Sequence, residues 1–166
     1  MKKLYTIVLL LTLCMTALAQ SGRDLYNKYS DLPGTEAVYI SSAMFRLIGR
    51  IPDVELKEDS VNFSPIIKSM TGFYILNTSD PKTGAALYAE VNQFVHSGKY
   101  ELLMEAKDNG EVMRMYTVGD AATVTSFVML TKDGADVSFI SFDGKMDREQ
   151  LENILADAAA PKNSVE

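Results

Sequence analysis

The clearest hydrophobic pattern in the chain is helical and lies between residues 81 and 97. Apolar side chains recur there on one helix face, at spacings of three or four positions: Leu87, Tyr88, Val91, Phe94 and Val95. The segment opens with Asp80-Pro81, an N-cap residue followed by a first-turn proline, and Gly98 after it is a common helix stop. The pattern therefore predicts an amphipathic helix that buries one face.

After Gly98 the hydrophobic period changes to two, which is typical of β-strands. Turn signals divide this region at three places: Asn109-Gly110, Gly119-Asp120 and Asp133-Gly134. They predict a four-strand meander with strands at residues 100–106, 111–118, 123–131 and 136–142. The first segment consists of good helix formers, and it is assigned to a strand because the turn at Asn109 needs two partners.

The rest of the chain carries weaker patterns of the same two kinds. Residues 36–40 and 73–76 are short apolar runs that predict strands, and Ser64-Pro65 predicts the start of another helix. Near the C-terminus, Asp147 is a candidate N-cap for a final helix. The elements predict an α+β fold: an antiparallel sheet of five or six strands, with a four-strand meander in the C-terminal half and helices packed mainly on one face.

One domain, residues 36–158, accounts for most of the chain, since no composition shift or internal repeat divides it. Residues 20–35 are polar and contain the breaker pair Pro33-Gly34, so they are predicted to form an N-terminal arm or linker. Residues 159–166 show no periodicity and are predicted to form a frayed tail.

The first 19 residues carry the pattern of a cleavable secretory signal peptide. Lys2 and Lys3 precede an uncharged stretch, and small residues near its end predict cleavage between Ala19 and Gln20. A transmembrane anchor is the alternative, but the apolar stretch is shorter than the roughly 18 residues that a span requires. We therefore expect export, with no stable membrane span once the signal is removed.

Cys14 is the only cysteine and lies within the predicted signal peptide. A lipoprotein anchored there is a second alternative, but Leu13 stands where such sites require a small residue. Removal of the signal would leave no disulfide and no thiol. It would also leave 14 basic against 22 acidic residues, a net charge of −8. This charge opposes binding to nucleic acid or anionic lipid, both of which need a clustered basic surface.

Few residues offer catalytic chemistry. His96, the only histidine, lies at a predicted helix end, which favours a structural interaction with the helix dipole. Carboxylates are numerous, but their spacing is not diagnostic and some have turn or cap roles: Glu101, Glu105, Asp133, Asp136, Asp143 and Asp147. We therefore predict no catalytic residue, no cofactor and no enzymatic activity, with a carboxylate-dependent hydrolase as an alternative.

Methionines concentrate in the predicted meander, where Met104, Met113, Met115 and Met129 fall on adjacent strands. Thioethers bind copper(I), so a small-ligand or copper(I) carrier using Met104, Met113 and Met115 is another alternative. Methionine also fills irregular cores, and that role accounts for these residues without a metal. No metal site is predicted.

The last two predicted strands carry large apolar side chains on both faces, whereas a sheet with one solvated face alternates apolar and polar residues. The second face therefore needs a cover, which the N-terminal arm, a helix, a partner protein or a second copy of the chain could provide. The candidate interaction face consists of Phe127, Met129, Phe139 and Phe142.

Three segments carry a resemblance to a known family: YIS at 39–41, YELLMEAKDNG at 100–110 and FISFDGKMD at 139–147. Together they resemble domain-of-unknown-function family 4252, small exported proteins of Bacteroidetes, over about residues 36–158. The resemblance implies a Gram-negative envelope location, periplasmic or associated with the outer membrane, and a sensing or regulatory role; it carries no catalytic residue. The leading hypothesis is a non-enzymatic envelope domain that binds an envelope protein or itself through the apolar face of the meander.

Overall fold

A computed structural model of the chain describes residues 21–48, 57–58, 61–62, 64–98 and 100–159. The predicted signal peptide, its cleavage site at Ala19 and Gln20, and the predicted tail beyond Ala159 lie outside these residues. No helix in the described part is both long and apolar enough to cross a membrane.

The described residues form one large sheet, one small hairpin and five helices. The helices are α1 (Gly22–Tyr29), α2 (Ser42–Ile48), α3 (Ser64–Ser69), α4 (Pro81–Ser97) and α5 (Arg148–Ala159). The strands are β1 (Thr35–Ser41), β2 (Lys57–Glu58), β3 (Val61–Asn62), β4 (Met70–Thr78), β5 (Glu101–Asp108), β6 (Glu111–Gly119), β7 (Thr123–Asp133) and β8 (Asp136–Asp147).

The large sheet has six strands in the order β1-β4-β8-β7-β6-β5, and every neighbouring pair is antiparallel. Strands β2 and β3 pair separately. Strands β5 to β8 are consecutive neighbours, so the predicted meander and the predicted α+β class are confirmed. The helix-forming residues of β5 adopt a strand because Asn109 and Gly110, both at positive φ, close a two-residue hairpin that pairs β5 with β6.

Helices α1 and α4 cover one side of the large sheet, which we call the helix face. Their buried side chains pack against apolar residues of the sheet and form the larger core: Leu25, Tyr29, Leu87, Val91, Phe94 and Val95 from the helices, with Leu76, Tyr116, Val128, Leu130, Val137 and Phe139 from the strands. The predicted stripe of α4 supplies four of these residues, and Asp80 caps the helix by accepting a hydrogen bond from the Thr83 amide (2.7 Å).

Helix α1 lies in the segment that was predicted to be an arm or linker. Ser21 and Asp24 form a capping box at its start. At its end, Lys28 and Tyr29 both donate to the same Glu90 carboxylate oxygen of α4, at 2.6 and 2.7 Å. The two apolar anchors, Leu25 and Tyr29, are almost fully buried. The segment is therefore a docked helix, too short for its spacing to stand out in the sequence.

Among the described residues, the opposite side of the sheet is covered at one end. There Leu151 of α5 packs with Val124, Phe127 and Met146 in a second, smaller core. Asp147 accepts a hydrogen bond from the Gln150 amide at 3.0 Å, which confirms its predicted role as the N-cap of the last helix. The remainder of this side, which we call the open face, carries the candidate functional site.

Candidate interaction face

The strand register aligns apolar side chains across all six strands of the open face. Directly paired residues lie on the same side of a sheet, so a chain of such pairs defines a row perpendicular to the strands. One row joins, from β1 to β5, Val38, Ile75, Ile140, Met129, Met115 and Met104. We call it the middle row. With strands roughly 4.8 Å apart, it is about 24 Å long.

A row of different character lies on each side of the middle row. Toward α5, the register pairs Ile40, Phe73, Phe142 and Phe127, and the last two rings stack with centroids 4.7 Å apart. Away from α5 lies a row that is polar over four strands: Glu36, Asn77, Ser138 and Thr131. Within it, Ser138 Oγ donates to Asn77 Oδ1 at 2.6 Å. The open face therefore changes from aromatic to polar along the strands.

Exposure differs between the central strands and the edge strand of this face. Phe127, at the α5 end, is only 4% exposed, whereas Val38 at the edge of the middle row is 47% exposed. The other members of the middle row are half-buried. An apolar stripe thus remains partly accessible on a sheet face where apolar residues are normally covered.

The structure separates the four residues of the predicted interaction face. Met129 and Phe142 are half-buried on the open face, and Phe127 is on the same side but buried in the second core. Phe139 is fully buried on the helix face, so its assignment to the interaction face was wrong. The reason is parity: positions 139 and 142 differ by three, and residues an odd number apart point to opposite faces of a regular strand.

Three members of the middle row, Val38, Ile75 and Ile140, were not among the predicted site residues. The sequence offers a signal for each, since alternate positions in their strands are apolar. That signal does not show that β4 lies between β1 and β8, and only this order aligns the three residues.

The predicted methionine group is brought together in part. Met104, Met115 and Met129 are successive members of the middle row, and Met113 lies one row away, paired with Thr131. Met115 and Met129 also pack against the second core. These contacts give them a structural role that requires no metal. Among the described residues, no group of three or more histidine, cysteine or acidic side chains could hold a metal ion.

Most of the carboxylates considered for a hydrolase lie apart from one another; only Asp133 and Asp136 are directly paired. Glu105 contacts Lys107 and Arg114, each at 2.6 Å, and these hydrogen bonds hold its pKa below the usual value. Glu101 lies 3.4 Å from Arg148, and Asp147 caps α5. Asp133 and Asp136 are exposed beside the β7–β8 turn, while His96 is exposed in the last turn of α4.

Asp143 is the carboxylate with the most unusual surroundings. Tyr100 Oη donates to Ser126 Oγ at 3.0 Å, and Ser126 is the β7 residue that pairs with Asp143 in the sheet. Burial raises the pKa of Asp143, and the interaction with the Ser126 side chain offsets only part of that rise. The acid is therefore costly to ionise in the folded protein.

Replacing Asp143 with asparagine is expected to stabilise the protein at neutral pH but not in acid. Because the folded-state pKa is raised, the folded protein holds more protons than the unfolded chain between the ordinary carboxyl pKa and the raised one. Stability of the wild type therefore falls as pH rises through that window, and the asparagine variant is spared this loss. Urea unfolding between about pH 3 and pH 7 measures the difference, with exposed Asp31→Asn as the control. A pH-independent difference between wild type and D143N would contradict the assignment.

Comparisons with known proteins agree with the resemblance of the three sequence segments. The family described as Domain of unknown function (DUF4252) matches residues 29–154. Neither the curated proteins nor the solved structures contain a match to the chain. Since the family match spans more than half of the sequence, the chain belongs to the DUF4252 family of domains of unknown function.

Proposed function

We propose that the protein is a non-enzymatic interaction module that binds another protein on its open face. The observation that carries this proposal is the middle row, a continuous apolar stripe that remains partly accessible across all six strands. Covering such a stripe removes apolar surface from water, which favours association. The stacked rings of Phe127 and Phe142 lie in the row beside it, toward α5, and support one side of the stripe.

Export is part of the same proposal. The N-terminal charge, apolar stretch and small residues before Gln20 support a cleaved signal, and a chain without cysteine after cleavage suits an oxidising compartment. We place the protein beyond the inner membrane, in the periplasm or at the outer membrane, where its partner is an envelope protein. Sensing or regulation is the role that fits a small module of this kind.

The distribution of carboxylates supports binding rather than catalysis. Glu105, Glu101 and Asp147 each have a separate structural partner, and Asp143 is partly buried where it pairs with Ser126 of β7. A hydrolase of the two-carboxylate kind needs a pair that faces one bond of the substrate. Asp133 and Asp136 do pair, but they close an exposed hairpin at one end of the open face, and the middle row offers apolar contact area instead.

Photo-crosslinking in the native cell tests the proposal. A photoreactive amino acid at Val38, the exposed end of the middle row, is expected to give a discrete adduct that mass spectrometry identifies as one envelope protein. The same group at Gln93, exposed on the outer side of α4, serves as the control and is expected to give at least several-fold less. Equal adducts at both positions, or none at Val38, would overturn the proposal.

A further inference from the structure

Four carboxylates form a further row on the open face, beyond the polar row. Asp108 and Glu111 are the closing pair of the β5–β6 hairpin, and Asp133 and Asp136 close the β7–β8 hairpin. Glu111 lies next to Val112 in β6, and Asp133 lies next to Lys132 in β7. Because Val112 and Lys132 are paired, Glu111 and Asp133 continue the register between these two strands. We call these four residues the carboxylate row.

All four side chains of the carboxylate row are exposed. Three of them, Glu111, Asp133 and Asp136, line one shallow groove of about 200 Å³ that reaches the polar row at Asn77 and Ser138. The groove thus connects the acidic end of the open face with the row next to the apolar stripe.

The carboxylate row has no cationic partner in the part of the chain that the structure describes, where no ion pair involves any of its members. Three of the four cations of β5 to β8 point to the helix face: Lys107 and Arg114 bind Glu105, and Lys132 lies over the Tyr88 ring of α4 at 5.1 Å. Like charges directly opposite each other destabilise a sheet. The chain therefore carries an electrostatic cost on this face that its described residues do not offset.

We propose that the open face binds a basic amphipathic segment of another protein, an inference that rests on the proposed function. The apolar side chains of that segment lie on the middle row, and its lysine or arginine side chains reach the carboxylate row. The two rows are four residues apart along β7 and β8, which is about 13 Å. A single helix or strand whose lysine or arginine side chains are extended spans that distance. Its positive charge offsets the repulsion among the carboxylates.

A second copy of the chain fits this face less well. The predicted exported form has a net charge of −8, and each copy would add its own carboxylate row and Glu36 to the interface. Three of the strands' own cations, Lys107, Arg114 and Lys132, are occupied on the helix face. Charge complementarity therefore favours a basic partner over self-association.

Two synthetic peptides test the inference with the purified, processed protein. Both carry the same amphipathic apolar positions, and their polar positions are lysine in one and glutamate in the other. Fluorescence anisotropy is expected to show binding of the lysine peptide only, weakened about fivefold or more by D133K. D31K, which makes the same charge change at an exposed site before β1, is expected to leave the affinity unchanged. V38D is expected to abolish binding, and thermal unfolding checks that each variant is folded.

Several results would overturn the inference. Two results with the peptides contradict it: equal binding of both, or binding of neither. Two results with the variants also contradict it: equal weakening by D133K and D31K, or binding that V38D leaves unaffected. A purified protein that forms a stable dimer through the open face contradicts it as well. The experiments distinguish a failure of the inference from a failure of the proposed function. A Val38 adduct in cells together with charge-independent peptide binding keeps the interaction module and removes the basic partner.

Discussion

Replacing Phe139 with alanine is expected to lower the free energy of unfolding by about 3–5 kcal/mol. Phe139 is fully buried on the helix face, where its strand neighbours are Leu76 and Leu130 and the helices above it supply the rest of the larger core. Truncation removes the ring's contacts and leaves a cavity that the packed surroundings fill only in part. Chemical denaturation monitored by circular dichroism measures the change.

The neighbouring residue provides a matched control. Ile140 follows Phe139 in the same strand but points to the open face, where it is half-buried. Because solvent already reaches its side chain, Ile140→Ala is expected to cost less than half as much. The two variants together test the assignment of faces, since equal losses would mean that the open face is packed as tightly as the helix face.

The pair Phe139 and Ile140 also shows what the sequence could predict. Alternation and turn signals were enough to locate all four strands of the meander, because those signals are local. They were enough, too, to show that both faces of β8 are apolar. Assigning Phe139 and Phe142 to one face contradicted the two-residue period that predicted the strand, so this error was avoidable from the sequence.

The composition of the middle row could not be predicted in the same way. It depends on the insertion of β4 between β1 and β8, which places Ile75 beside both Val38 and Ile140. That order is set by long-range packing of whole strands and not by any local pattern. The carboxylate row is an intermediate case, because each hairpin-closing pair is visible around its turn, but their alignment follows from the register between β6 and β7.

Helix α1 was the largest omission from the predicted fold. Its eight residues cover about two turns, and an isolated helix of that length is unstable without tertiary contacts. The burial of Leu25 and Tyr29 against α4 and the sheet supplies those contacts. A capping box of Ser21 and Asp24 was present as a local signal, but its apolar positions are too few to define a stripe.

Replacing Leu25 with alanine is accordingly expected to destabilise the whole domain by about 2–5 kcal/mol. Leu25 is fully buried within the larger core, although the family match begins at Tyr29. Asn27→Ala, an exposed change in the same helix, is the control and is expected to stay within about 0.5 kcal/mol of the wild type. Urea unfolding of the processed protein should show a single transition displaced to lower urea for L25A.

The number of transitions decides what α1 is. If it is an integral layer of the domain, the loss of Leu25 lowers the stability of the sheet and of α4 together, because they share one core. An L25A variant with unchanged stability, or with α1 melting in a separate early transition, would show instead that α1 is a detachable arm and that residues from Tyr29 onward fold without it.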